Sequence, residues 1–159
     1  MTALDIRLDR PATGRTTEEP SGLRARAPHL VLLAFRLVVG FLFLLHVALA
    51  FGAFGGVDGQ GGGVPLGSVY WWASIVQGTG AVLVAAGLYT RISGFVLSGV
   101  MAFAYFAMHA PAGWNPLLNL GEQAALYSWI FLLLCAIGAG RFSLDAVRLR
   151  RRTLRRRVG

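Results

Sequence analysis

Charge is scarce over most of this chain. Between Leu37 and Gly140 the only Asp, Glu, Lys or Arg residues are Asp58, Arg91 and Glu122. Three charges over about a hundred residues cannot keep the surface of a soluble domain hydrated, so the bilayer is the expected solvent. Lysine is absent, and all 15 basic residues are arginine, which reads as a base-composition bias rather than a mechanism. The one cysteine, Cys135, lies in an apolar run; a single thiol excludes an internal disulfide and lacks the companions of a zinc site. There is no Rossmann glycine pattern, no cysteine cluster and no CxxCH haem-attachment motif. Residues 1–28 lack the apolar core of a secretory signal and mix Arg7, Arg10, Arg15, Arg24 and Arg26 with Asp5, Asp9, Glu18 and Glu19. They read as a disordered cytoplasmic tail.

What the chain has in quantity is apolar length. Four stretches, at about residues 30–54, 68–89, 92–109 and 121–139, each reach the roughly 18–25 residues that a helix needs to cross ~30 Å of hydrocarbon. None alternates with period two, so membrane barrel strands are excluded. The expected fold is all-α, an antiparallel four-helix transmembrane bundle over residues 29–142. A flexible glycine-rich loop, "GAFGGVDGQGGGVPLG", joins the first two spans, and the short "YTR" forces a tight hairpin between the second and third. Small residues four apart, Ala81 with Ala85 and Gly94 with Ser98 and Ala102, predict close helix packing.

The arginines give a direction. Eight follow Gly140, Arg91 marks the second loop, and Arg24 and Arg26 precede the first span, whereas the other two loops have none. The positive-inside rule then places both termini and the Arg91 turn in the cytoplasm. The basic segment 143–159 is expected to be a short surface helix capped by Ser143 and held against anionic lipid headgroups. Nucleic acid is not an expected partner, because retention beside a membrane span accounts for such a run.

Depth follows from position at ~1.5 Å per residue. His46, late in the first span, His109, at the end of the third, and Glu122, at the start of the fourth, share the outer level. Tyr105 lies one turn before His109, and Asn119 lies just ahead of Glu122. Ionisable groups within spans are costly and are candidates for function. The candidate cluster is therefore His46, His109, Glu122, Asn119 and Tyr105, expected to converge at the outer end. Arg36, on the cytoplasmic side, and Gln77, near the midplane, are supporting polar positions. Each also has a structural reading: Glu122 and Asn119 as a helix start, His109 as a helix end, Gln77 as an interhelical strut, Arg36 as a snorkelling side chain.

"FRLVVGFLFLLHVALAFGAFGG" and the long segment from "GTGAVLVAAGLYTRISGF" to "GAGRFSLD" resemble the DoxX family of small bacterial four-helix membrane proteins. The resemblance covers about residues 35–145. Its most specific pieces are an arginine and a histidine ten apart in the first span, the "YF…H" to "N…GE" segment, and the closing "GRFSLD". Such families often place an acidic residue where this chain has Gln77. The resemblance implies a link to redox chemistry: one branch contains the membrane subunit of a thiosulfate:quinone oxidoreductase, and others are associated with thiol and oxidative-stress systems. The sulfur activity does not carry over, since its motif residues cannot be identified here.

Two functions are open at this point. One is a quinone-interacting subunit of an oxidoreductase in the bacterial cytoplasmic membrane, with His46 or His109 bonding a quinone oxygen, Glu122 exchanging the proton, and a partner supplying electrons. The other is a non-catalytic scaffold that recruits soluble redox enzymes through the arginine tail. A small-molecule transporter ranks below both, because no span is visibly broken. Quinone is the candidate cofactor; haem and a metal site are not expected. A homo-oligomer is compatible with either reading.

Overall fold

A computed structural model of the chain describes residues 22–158, so most of the expected N-terminal tail lies outside the described residues. Among those described there are five α-helices and no β-strand, only an isolated bridge between Gly56 and Gly62. The helices are α1 (Leu23–Ala50), α2 (Val69–Ala86), α3 (Thr90–Ala104), α4 (Glu122–Ile137) and α5 (Leu144–Val158). Three helical segments are long and apolar enough to cross a membrane: Ala25–Ala50, Val69–Ala86 and Thr90–Ala112.

The helix ends follow local chemistry more closely than hydropathy does. α1 starts seven residues before the apolar run at Leu30, and it carries Pro28 near its start. There the missing N–H forfeits a single bond to the carbonyl four residues back. At its other end α1 stops at Ala50 rather than at Phe54, because Gly52 turns into the left-handed region (φ 94°). Ser68 caps α2 by accepting from the Trp71 N–H at 3.2 Å. Gly87 (φ 67°) ends α2 in a Schellman-type turn, with the Leu88 N–H on the Leu83 carbonyl at 2.9 Å. α3 continues through a π-helical turn, Tyr105–His109, and a 3-10 turn, Ala110–Ala112. The fourth expected span also shortens: a stretch read as 121–139 forms a helix of 16 residues, closed by Gly138 at φ 80°.

The glycine-rich loop is more organised than its composition suggests. Its backbone closes on itself through Gly61 N–H to Gly55 carbonyl (2.7 Å), Val57 N–H to Gly62 carbonyl (2.9 Å) and Val64 N–H to Ala50 carbonyl (2.8 Å). Asp58 accepts from the N–H groups of Gln60 and Gly62, each at 2.8 Å. These bonds hold its carboxyl below the usual carboxylate range.

Packing runs from α1 to α2, α2 to α3 and α3 to α4. Phe43 of α1 reaches Phe131 and Tyr127 of α4, with ring centroids at 4.8 and 5.0 Å. The small residues lie at the close approaches. A methyl group at Gly40 would stand 2.9 Å from the Ala85 Cβ, and one at Gly94 would stand 2.8 Å from the Phe131 carbonyl oxygen. Ser98 and Ser128 bond across α3 and α4. The solvation pattern is inverted relative to a soluble domain. Arg36, Ser74, Gln77, Thr90, Ser93, Ser98 and Asn119 are buried, whereas Phe41, Trp72, Phe95, Phe103 and Trp129 are each more than half exposed. Only a hydrocarbon surrounding makes that distribution favourable.

Candidate functional site

Two groups of bonded polar residues lie at the opposite ends of the helices. At one end the chain between α3 and α4 folds back onto the π-helical turn. The Tyr105 hydroxyl donates to the Trp114 carbonyl at 3.0 Å. The Asn119 side chain is used at both of its atoms: its amide N–H donates to the Gly113 carbonyl at 2.6 Å, and its Oδ1 accepts from the Gly121 N–H at 2.8 Å. His109 Nδ1 lies 3.0 Å from the Asn119 carbonyl. A carbonyl can only accept, so Nδ1 carries the proton in this contact. Gly121 makes this fold-back possible, because a side chain there would collide with Asn119, His109 and Tyr105.

Tyr105, His109 and Asn119 are thus joined through the turn. His46 and Glu122 make none of these contacts. His46 is exposed and stacks on Phe43 (6.0 Å, 15° between planes); Glu122 is exposed at the first position of α4, where the helix dipole favours a carboxylate. Gln77 is buried on α2.

Beside the turn lies a cleft of about 730 Å³ between the end of α3 and the start of α4. Tyr105, Phe106, Trp114, Asn115, Ser128 and Trp129 line it. Of these, only Tyr105 belongs to the cluster read from polarity. The aromatic wall was missed because Trp and Phe in a membrane chain read as lipid-facing anchors. The available signal was the spacing of Trp129, two turns along α4 from Glu122 and on the same face.

The opposite end is built around Arg36, which is fully buried. Its Nη2 donates to the Phe142 carbonyl at 2.5 Å and its Nη1 to the Val84 carbonyl at 3.5 Å, while Nε has no partner among the described residues. Asp145 contributes a favourable charge at longer range, with no direct ion pair to Arg36 among the described residues. Gly87 leaves room for the guanidinium, and any side chain there would overlap it. Asp145 also organises the neighbouring turn. Its two oxygens accept from the Tyr89 and Thr90 N–H groups at 2.9 and 3.1 Å, capping α3 from a different helix, and its own N–H donates to the Gly87 carbonyl at 2.9 Å. Tyr89 sits in the left-handed region (φ 50°), and Arg148 lies over its ring at 4.6 Å. Ser143 caps α5 through the Ala146 N–H at 3.2 Å. The arginine of the first span therefore meets the closing motif at the Phe142 carbonyl, and Asp145 of that motif holds the turn between α2 and α3.

This arrangement can be set against known proteins. Residues 31–110, from early α1 to the end of the π-helical turn, match the DoxX family. The chain belongs to the DoxX family. As a DoxX family protein with apolar helices whose outer faces are uncovered, it is a membrane protein. The family match ends before α4 and the closing motif. A relative from Haemophilus influenzae, itself described as uncharacterised, is 39% identical over 118 residues, covering 71% of this DoxX chain and 87% of its own length. No solved structure matches the chain.

Proposed function

We propose that this DoxX protein is a multi-pass protein of the bacterial cytoplasmic membrane that binds a quinone head group in the cleft between α3 and α4. The observation that carries this reading is the composition of that cleft: aromatic walls from Phe106, Trp114 and Trp129, with a few polar atoms converging from Tyr105, Asn115 and Ser128. A planar, apolar ring with two carbonyl acceptors calls for such a lining. Asn115 uses its Oδ1 on the Leu117 N–H, which leaves its amide N–H groups to donate to a carbonyl. The Ser128 and Tyr105 hydroxyl protons are already committed to the Ser98 and Trp114 carbonyls. A bound quinone supplies paired electron and proton transfer. His109 Nε2 and Glu122 are the proton acceptors nearest to this turn in sequence, and a soluble redox partner supplies the electrons.

In this proposal α1 to α4 form an antiparallel four-helix membrane bundle. Both termini are cytoplasmic in this reading, which the arginine distribution supports. A Thr153→Cys variant, with Cys135 replaced beforehand, should resist an impermeant thiol reagent added to intact cells; ready labelling would reverse the orientation. The function is tested by titrating the purified protein with a soluble quinone while following tryptophan fluorescence. Binding should quench emission and weaken about tenfold in Trp129→Leu, in line with the loss of a stacked aromatic anchor. Unchanged binding in that variant, or no quinone among co-purified lipids, would remove the proposal.

A second reading has its own support. The hydrogen bonds of Tyr105, His109 and Asn119 are satisfied within the turn, as expected of a structural network. On that reading the protein is a non-catalytic scaffold, with α5 as the docking surface for soluble enzymes. Replacing Glu122 by Gln separates the two: it abolishes quinone-linked turnover if Glu122 handles a proton and changes nothing in a scaffold.

A further inference from the structure

A second cavity, of about 480 Å³, lies at the arginine end between the start of α3, the end of α4 and the first turns of α5. Ile92, Ile137 and Leu149 give it an apolar side, and Arg91, Arg148 and Arg152 give it a basic one. The three arginines come from two helices. Arg148 and Arg152 are four apart on α5 and so share a face, while Arg91 approaches from α3 beside Gly138. The single acid of the lining is Asp145, and both of its oxygens are occupied by the Tyr89 and Thr90 N–H groups. Three arginines against one carboxylate leave the cavity with a formal charge of +2.

Two details decide the occupant. The cavity sits where apolar helix surface gives way to the arginine helix, the level of the headgroups in a bilayer. It also joins a cationic rim to an aliphatic wall. A free inorganic anion has no use for that wall, and membrane retention of the tail has no use for a cavity. We infer that this cavity seats the phosphate of an anionic membrane phospholipid between Arg91, Arg148 and Arg152, with the glycerol and upper acyl chain along Ile92, Ile137 and Leu149. The guanidinium groups match phosphate oxygens by paired N–H donation. The site is independent of the quinone cleft, which lies at the other end of the helices.

The test is native mass spectrometry of the full-length protein in detergent, titrated with phosphatidylglycerol and, separately, with phosphatidylcholine. A one-to-one phosphatidylglycerol adduct is expected, with little phosphatidylcholine adduct at the same concentration. The pair Arg148→Gln and Arg152→Gln should weaken it about tenfold or more; Arg155→Gln with Arg156→Gln removes the same charge from the same helix and should weaken it less than about twofold. Arg91→Gln, which leaves the Arg148–Tyr89 contact intact, should weaken it several-fold with the thermal midpoint unchanged. Leu149→Gln should weaken the lipid adduct but not the competition by inorganic phosphate. Equal losses in the two arginine pairs, equal binding of the two lipids, or displacement of the lipid by an equimolar amount of inorganic phosphate would each overturn the assignment.

Discussion

The two polar ends of the molecule are built in opposite ways. The turn that holds Tyr105, His109 and Asn119 closes through bonds between residues two to ten apart. The Arg36 end closes through partners 48 to 106 apart, from α1 to the close of α2 and to the segment before α5. The first is a local network, and its groups would find turn partners or water if the helices separated. The second buries a charge, whose guanidinium finds its acceptors only when the α2 carbonyl end and Phe142 are both in place. Global stability should therefore depend on the arginine end, and local shape on the turn.

The comparison is sharpest at Arg36 itself. Arg36→Ala leaves the Val84 and Phe142 carbonyls without this donor and empties the space of a fully buried side chain. It should cost about 3–5 kcal/mol, the scale for lost hydrogen bonds from a charged group together with a cavity, read as a lower unfolding midpoint in detergent. Gly87→Ala should approach that loss, because it adds a left-handed alanine to an overlap with the guanidinium. Asp145→Ala comes next, at about 1–2 kcal/mol for the lost α3 cap, with Asp145→Asn recovering part of it through one remaining acceptor. Tyr105→Phe should cost only about 1 kcal/mol, the net worth of one neutral hydrogen bond. If Tyr105→Phe destabilises as much as Arg36→Ala, the division between a global and a local end is wrong.

The smallest effect belongs to Asp58. Its carboxyl is held below the ordinary value by the Gln60 and Gly62 N–H groups. The contribution to loop order is thus present above the unfolded value and lost as pH falls through the lowered one. Proteolysis within residues 55–63 should quicken only in that acidic window, and Asp58→Ala should make cleavage independent of pH there.

The same contrast separates what the sequence makes legible from what it hides. Helices, the tight hairpin and the Ser143 cap were legible because each depends on neighbours along the chain. The small residues at the Gly94 and Ala85 contacts announced close packing, although not their partners. The capture of the α3 N-terminus by Asp145 was not legible, because the acceptor lies 55 and 56 residues away from its donors and looks like an ordinary first-turn acid of α5. The aromatic cleft was equally hidden, since exposure to lipid and exposure to a ligand favour the same side chains. His46 shows the limit of a depth argument: position along a span fixes a level in the bilayer but not a direction around the helix.

The length of α4 has an elastic consequence. Its 16 residues rise about 24 Å, some 6 Å less than a typical hydrocarbon core. In the four-helix arrangement proposed above, acyl chains beside α4 must compress or tilt to match it while those beside the longer α1 need not. At a fraction of a kcal/mol per ångström, the strain amounts to roughly 1–3 kcal/mol, borne by the lipid on one flank of the protein. The molecule then acts as a wedge of uneven thickness that gathers short-chain lipid on its α4 side and is more stable in a thinner membrane. Reconstitution in lipids of graded chain length should show its unfolding midpoint rising as the bilayer thins toward the span of α4.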